Sequence, residues 1–95
     1  MATAGLEVPL RVARLCKALG HPARATIVRL LLAQRRPLTC GALVAQLPLA
    51  QSTVSRHLGV LRRAGLVTVE EQPPRALYSA DAGALDELRR ALAAL

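Results

Sequence analysis

Between Gln51 and Leu66 the chain runs Gln-Ser-Thr-Val-Ser-Arg-His-Leu-Gly-Val-Leu-Arg-Arg-Ala-Gly-Leu, and no other stretch limits the fold as much. At 100° per residue Val54, Leu58 and Leu61 fall on one narrow stripe, while Ser52, Arg56, Gly59 and Arg63 fall on the opposite side. Such a helix needs a core beneath one face and leaves the other face basic and lined by small side chains. Gly65 is the residue type that ends helices. Directly after it, Leu66-Val-Thr-Val-Glu70 alternates as a strand, Glu71-Gln-Pro-Pro-Arg75 turns and Ala76-Leu-Tyr-Ser79 returns. The apolar residues are nearly all Leu, Ala and Val, with Tyr78 the only aromatic, which favours helices over a sandwich or barrel. The expected class is mainly α with a small two-stranded β hairpin.

The remaining elements follow from the same periodicities. Leu6 to Leu19 reads as a first helix with two apolar faces, Val8, Val12, Leu15 and Leu19 on one and Leu6, Leu10 and Ala13 on the other. A second helix starts at Pro22, a residue tolerated in the first helical turn, and runs to about Gln34 with Ala23, Ile27, Leu30 and Leu31 inward. Thr39 is a fitting N-cap for a third, Cys40 to Leu47. Leu47-Pro-Leu-Ala50 turns into the fourth, whose cap position holds an alanine at a cost of about 1 kcal/mol. Asp81 caps a fifth helix striped by Leu85, Leu88, Leu92 and Leu95. The 95 residues make one domain, residues 1–5 being small and frayed. A chain this short buries only about 60–65% of its unfolded surface. The spare leucines, Leu6 and Leu10 on the first helix and Leu85, Leu88 and Leu92 on the last, are therefore expected to meet a twin subunit.

The distribution of charge says more than the formal net charge of +7. From Val8 to Val69 there is no acidic residue, but ten arginines and lysines, and five of the six acids come afterwards. A basic domain of this kind is built to meet a polyanion, with nucleic acid the usual one. On the basic helix, Arg56 and Arg63 can pair with guanine edges, and Ser52, Thr53 and Ser55 with either partner of a base pair. Gln51, His57, Arg62 and, at the hairpin tip, Arg75 complete the set expected to touch bases or phosphates. No metalloprotease, nucleophile-elbow or phosphate-loop motif is present and the acids are scattered, so no enzymatic activity is expected. No stretch reaches the ~18 apolar residues of a membrane span, which with the missing signal segment points to the cytoplasm.

The segment Ser52-Thr-Val-Ser-Arg-His-Leu58, with Leu61 and Ala64-Gly-Leu-Val67, resembles the recognition helix of the ArsR/SmtB family of winged-helix transcriptional repressors. Leu19-Gly-His-Pro-Ala-Arg24 resembles the opening of that family's second helix, Ile27 to Leu32 its continuation, and Arg75-Ala-Leu-Tyr78 the returning strand of its wing. The likeness spans roughly residues 10–95 and implies a winged helix-turn-helix of five helices plus wing. It also implies a homodimeric repressor on an inverted-repeat operator in double-stranded DNA, released by a ligand or a redox signal. Two departures stand out: serine is usual where Ala50 stands, and the wing tip carries two prolines and two glutamates where basic residues and glycine are common.

Sensor sites of the family carry over poorly. Its metal site on the last helix uses Asp and His, whereas here that helix offers Asp81, Asp86 and Glu87 without a histidine. Where its Cys-x-Cys pair opens the third helix, this chain has a single thiol, Cys40, at the position between the two. Cys16 and Cys40 remain as free thiols, either packing residues or a site for arsenite, a metal or an oxidant. Both have cationic neighbours, Arg14 and Lys17 for one and Arg36 for the other, a setting that favours thiolate. Two rival readings remain: a DNA-binding regulator without a small-molecule sensor, and a protein-interaction module using its leucine stripes. Salt-dependent duplex binding separates the second from every DNA-binding reading.

Overall fold

The computed structural model describes residues 5–95, apart from the Val8 side chain. Fraying at residues 1–5 falls, Gly5 excepted, outside the described residues. Helices α1 (Glu7–Leu19), α2 (Pro22–Ala33), α3 (Cys40–Val44) and α4 (Gln51–Ala64) precede the antiparallel hairpin of β1 (Val67–Gln72) and β2 (Arg75–Ala80), and α5 (Ala82–Ala93) closes the chain. This is the five-helix winged architecture the sequence implies.

Helix α4 lies at the centre, packed against α1, α2, α3 and β1. Its Val54, Leu58 and Leu61 are buried with Leu15, Ile27, Val28, Leu31, Leu43, Leu66 and Val67. A core drawn from the three earlier helices and the first strand holds α4 from one side only, so the other side is free to be read from outside.

The caps explain the boundaries. Thr39 Oγ1 accepts from the Ala42 amide at 3.1 Å, and Asp81 Oδ1 from Ala84 at 3.0 Å. Gly65 adopts φ 86°, its amide donating to Arg62 O and that of Leu66 to Leu61 O, the paired bonds of a Schellman ending. Buried Leu66 against buried Leu61 supplies the apolar contact that goes with it. Helix α3 stops at Val44 rather than Leu47. Gln46 and Leu47 bond instead to the carbonyls three residues back, because Pro48 disfavours helical geometry at the residue before it.

The hairpin pairs Val67 with Ala80 through Gln72 with Arg75, so the strands extend farther than expected and only Pro73-Pro74 forms the loop. Leu38 adds a pairing that no local pattern announced. Its amide donates to Tyr78 O at 2.9 Å and the Tyr78 amide returns to Leu38 O at 2.7 Å, tying the α2–α3 connection to the wing.

The leucines of the outer helices divide in a way periodicity did not show. Leu88, expected at a subunit interface, is only 5% exposed and belongs to this subunit's own core, and Leu85 is half-buried against it. The reason is that α5 lays this side of its stripe on α1 of the same chain, where Arg11 and Glu87 form an ion pair, Arg11 Nη2 donating to Glu87 Oε2 at 3.0 Å. The hydrogen bond and the opposite charge hold the Glu87 carboxyl below its ordinary pKa. Leu6, Leu10, Leu92 and Leu95 stay exposed.

Candidate nucleic-acid interface

On the outer side of α4, Gln51, Ser52, Ser55, Arg56, Arg62 and Arg63 are all exposed, and Thr53 is half-buried. Gly59 lies beneath them. A Cβ built there would come within 3.2 Å of Arg63 Nη1, so the glycine lets the guanidinium fold back close to the helix surface. Ala50 offers no side-chain cap, which leaves first-turn amides for solvent or a phosphate oxygen. The helix carries no acid, and Arg62 and Arg63 sit in its last turn, where the helix dipole favours cations. This combination of small hydroxyl residues, a glycine and projecting arginines on one exposed helix face suits a major groove.

Arg75 opens β2 opposite Gln72 and is exposed beside the loop. Glu70 and Glu71 are exposed on the partner strand, and Gln72 Nε2 donates to Glu70 Oε1 at 3.1 Å. The wing therefore presents one cation amid two acids, a poorer phosphate ligand than the helix.

His57 does not join this face. It is 7% exposed, and its ring packs on His21 with centroids 4.5 Å apart. Nδ1 lies 3.3 Å from Arg24 Nη1, so the neutral ring accepts there. Burial, then the nearby His21, Arg24 and Arg56, lower its pKa from the usual value. His57 thus packs between the start of α2 and α4, apart from the exposed face that carries the other candidates. His21 and Arg24, which the sequence marked only as a helix opening, form the other half of this seam. His21 Nδ1 caps α2 by accepting from Ala23 at 3.0 Å, and Arg24 Nε donates to Ala18 O, at the end of α1, at 2.6 Å.

Residues 19–70 match the family of a helix-turn-helix domain. The biofilm growth-associated repressor of Agrobacterium fabrum is 39% identical over 80 residues, covering 76% of this chain and 67% of that protein. The solved structure of Rv0081 from Mycobacterium tuberculosis superposes with a TM-score of 0.68 at 38% identity, covering 85% of this chain and 84% of that one. HlyU from Vibrio cholerae gives 0.77 at 28% identity over 90% and 91% of the two chains. This chain belongs to the ArsR/SmtB family of winged-helix transcriptional regulators. It spans 62–67% of the length of the curated relatives it matches.

In ArsR/SmtB terms, α3 and α4 are the helix-turn-helix and the hairpin is the wing. Among the described residues of one subunit, no three His, Cys, Asp or Glu side chains gather closely enough to hold an ion. Cys16 is an exposed thiol on α1. Cys40 is half-buried against the core, its Sγ 4.0 Å from Gln51 O. Burial raises its pKa, so the thiolate character expected from Arg36 gives way to desolvation. No helix of the described residues is long and apolar enough to cross a membrane.

Proposed function

We propose that two copies of this regulator pair through α1 and α5 and set their α4 helices in successive major grooves of an inverted repeat, acting in the cytoplasm as a repressor. The exposed face of Ser52, Ser55, Arg56 and Arg63 over Gly59 carries this reading. Arg56 reads base edges, and Arg62, Arg63, Arg75 and the first-turn amides of α4 hold phosphates. Arg56→Ala should cost about 1–3 kcal/mol in operator affinity and blur the preference for operator over random duplex. Titrating both duplexes with wild type and variant tests this, and equal binding of the two DNAs by both proteins would sink it.

A thiol signal is a second reading, favoured by the exposure of Cys16 on a helix assigned to the twin interface. Arsenite or another thiophilic ligand, or an oxidant, acting on Cys16 with Cys40 would release the DNA. Operator binding by wild type, Cys16→Ser and Cys40→Ser should then differ in the presence of arsenite or zinc, or after mild oxidation. Because Cys40 resists ionisation, Cys16→Ser should remove the response more completely. Identical behaviour of all three proteins under every condition makes both thiols packing residues.

A further inference from the structure

A cavity of about 460 Å³ opens between the end of α1, the start of α2 and the end of α4, lined by Arg14, Lys17, Ala18, Arg24, Val60, Arg63 and Ala64. Its floor is apolar: Ala18 is buried, and Val60 and Ala64 are half-buried against the core. Four cations surround that floor, and none of them forms an ion pair among the described residues, where the carboxylate partners go to Arg11, Arg89 and Arg90. Like charges gathered around a low-dielectric wall repel one another, and a small anion seated among them relieves the repulsion. A bare phosphate needs no apolar floor, whereas an anionic head on a hydrocarbon body uses both parts of the site. Only Arg63 of the four also belongs to the exposed face of α4.

We propose that this cavity binds an amphipathic organic carboxylate, its head among Arg14, Lys17, Arg24 and Arg63 and its aliphatic body on Ala18, Val60 and Ala64, and that binding weakens the hold on DNA. The effect on DNA rests on α4 being the DNA-reading helix. Two connections support it. The carboxylate takes Arg63 out of the positive field offered to the phosphates. It also competes for Arg24, which holds the Ala18 carbonyl of α1 on one side and His57 of α4 on the other, and so bears on how α4 is seated. Arg14 and Lys17 follow Leu10 along the same side of α1, so the ligand borders the surface given to the twin as well.

The test uses the intact protein and octanoate below its micellar concentration, with octanol as the uncharged control and inorganic phosphate as the control without a tail. Calorimetry without DNA should show one octanoate per chain, with octanol and phosphate binding at least tenfold more weakly. The double variant Arg14→Ala/Lys17→Ala, altered only at exposed positions and checked for an unchanged thermal melt, should lose octanoate affinity tenfold or more while keeping operator affinity. Octanoate should weaken operator binding by wild type about tenfold and leave the double variant unaffected. Octanoate binding that is absent, or the same in the double variant, overturns the proposal. Loss of affinity for operator and random duplex alike in a double variant whose parent ignores octanoate would make the patch a phosphate contact instead. Octanoate bound by a protein that binds no duplex would leave the cavity standing and remove the DNA reading.

Discussion

Raising salt from about 50 mM to about 200 mM should weaken operator binding by roughly 10³–10⁵-fold. Each subunit offers Arg62 and Arg63 on the exposed side of α4 and Arg75 on the wing to phosphates, so a pair of subunits neutralises about six of them, the lower end of the number that gives such a loss. Every neutralised phosphate releases a condensed counterion, and the logarithm of affinity then falls linearly with the logarithm of salt. Arg62→Ala should lower that slope by about one for each phosphate left without its cation, with little change in sequence preference, in contrast to Arg56→Ala. Titrations over a salt series measure both quantities. A nearly flat slope would mean that the basic surface serves solubility and the leucine faces are the working part.

Glutamate at Leu10 or Leu92 should give folded monomers that have lost tight operator binding. These side chains are 40% and 45% exposed in the single subunit, so a charge there meets water in the monomer and meets apolar surface only in a dimer. A leucine fully buried in such an interface contributes roughly 1.5–3 kcal/mol, and a symmetric interface loses the contribution twice. A monomer also forfeits the effective concentration that the first half-site supplies to the second, worth about 10²–10⁴ in affinity. Leu88→Glu should behave differently. With Leu88 sealed in its own subunit's core, the charge should unfold the chain, seen as a collapsed thermal melt rather than as a clean monomer. Sedimentation of Leu10→Glu and Leu92→Glu at micromolar concentration decides the matter: dimers that persist in both place the interface elsewhere.

Features set between neighbours a few residues apart were legible in the chain alone. The 3.6-residue spacing of Val54, Leu58 and Leu61 oriented α4, Gly65 ended it, Thr39 and Asp81 capped α3 and α5, and the alternation after Leu66 announced the wing, because these are short-range constraints of backbone geometry and hydrogen bonding. Arg56 and Arg63 were legible as outward residues for the same reason: they lie opposite the apolar stripe. His57 lies beside that stripe, where either environment is open to a side chain, and its burial was decided by His21, the cap of α2, and Arg24 of α2 closing over it. Among the leucines of α5 the sequence set the stripe, but only the approach of α1 decided that Leu88 goes inward while Leu92 stays out. The Leu38–Tyr78 pairing and the ring of Arg14, Lys17, Arg24 and Arg63 likewise join residues far apart in the chain. Packing brings such groups together, and no local period in the sequence records it.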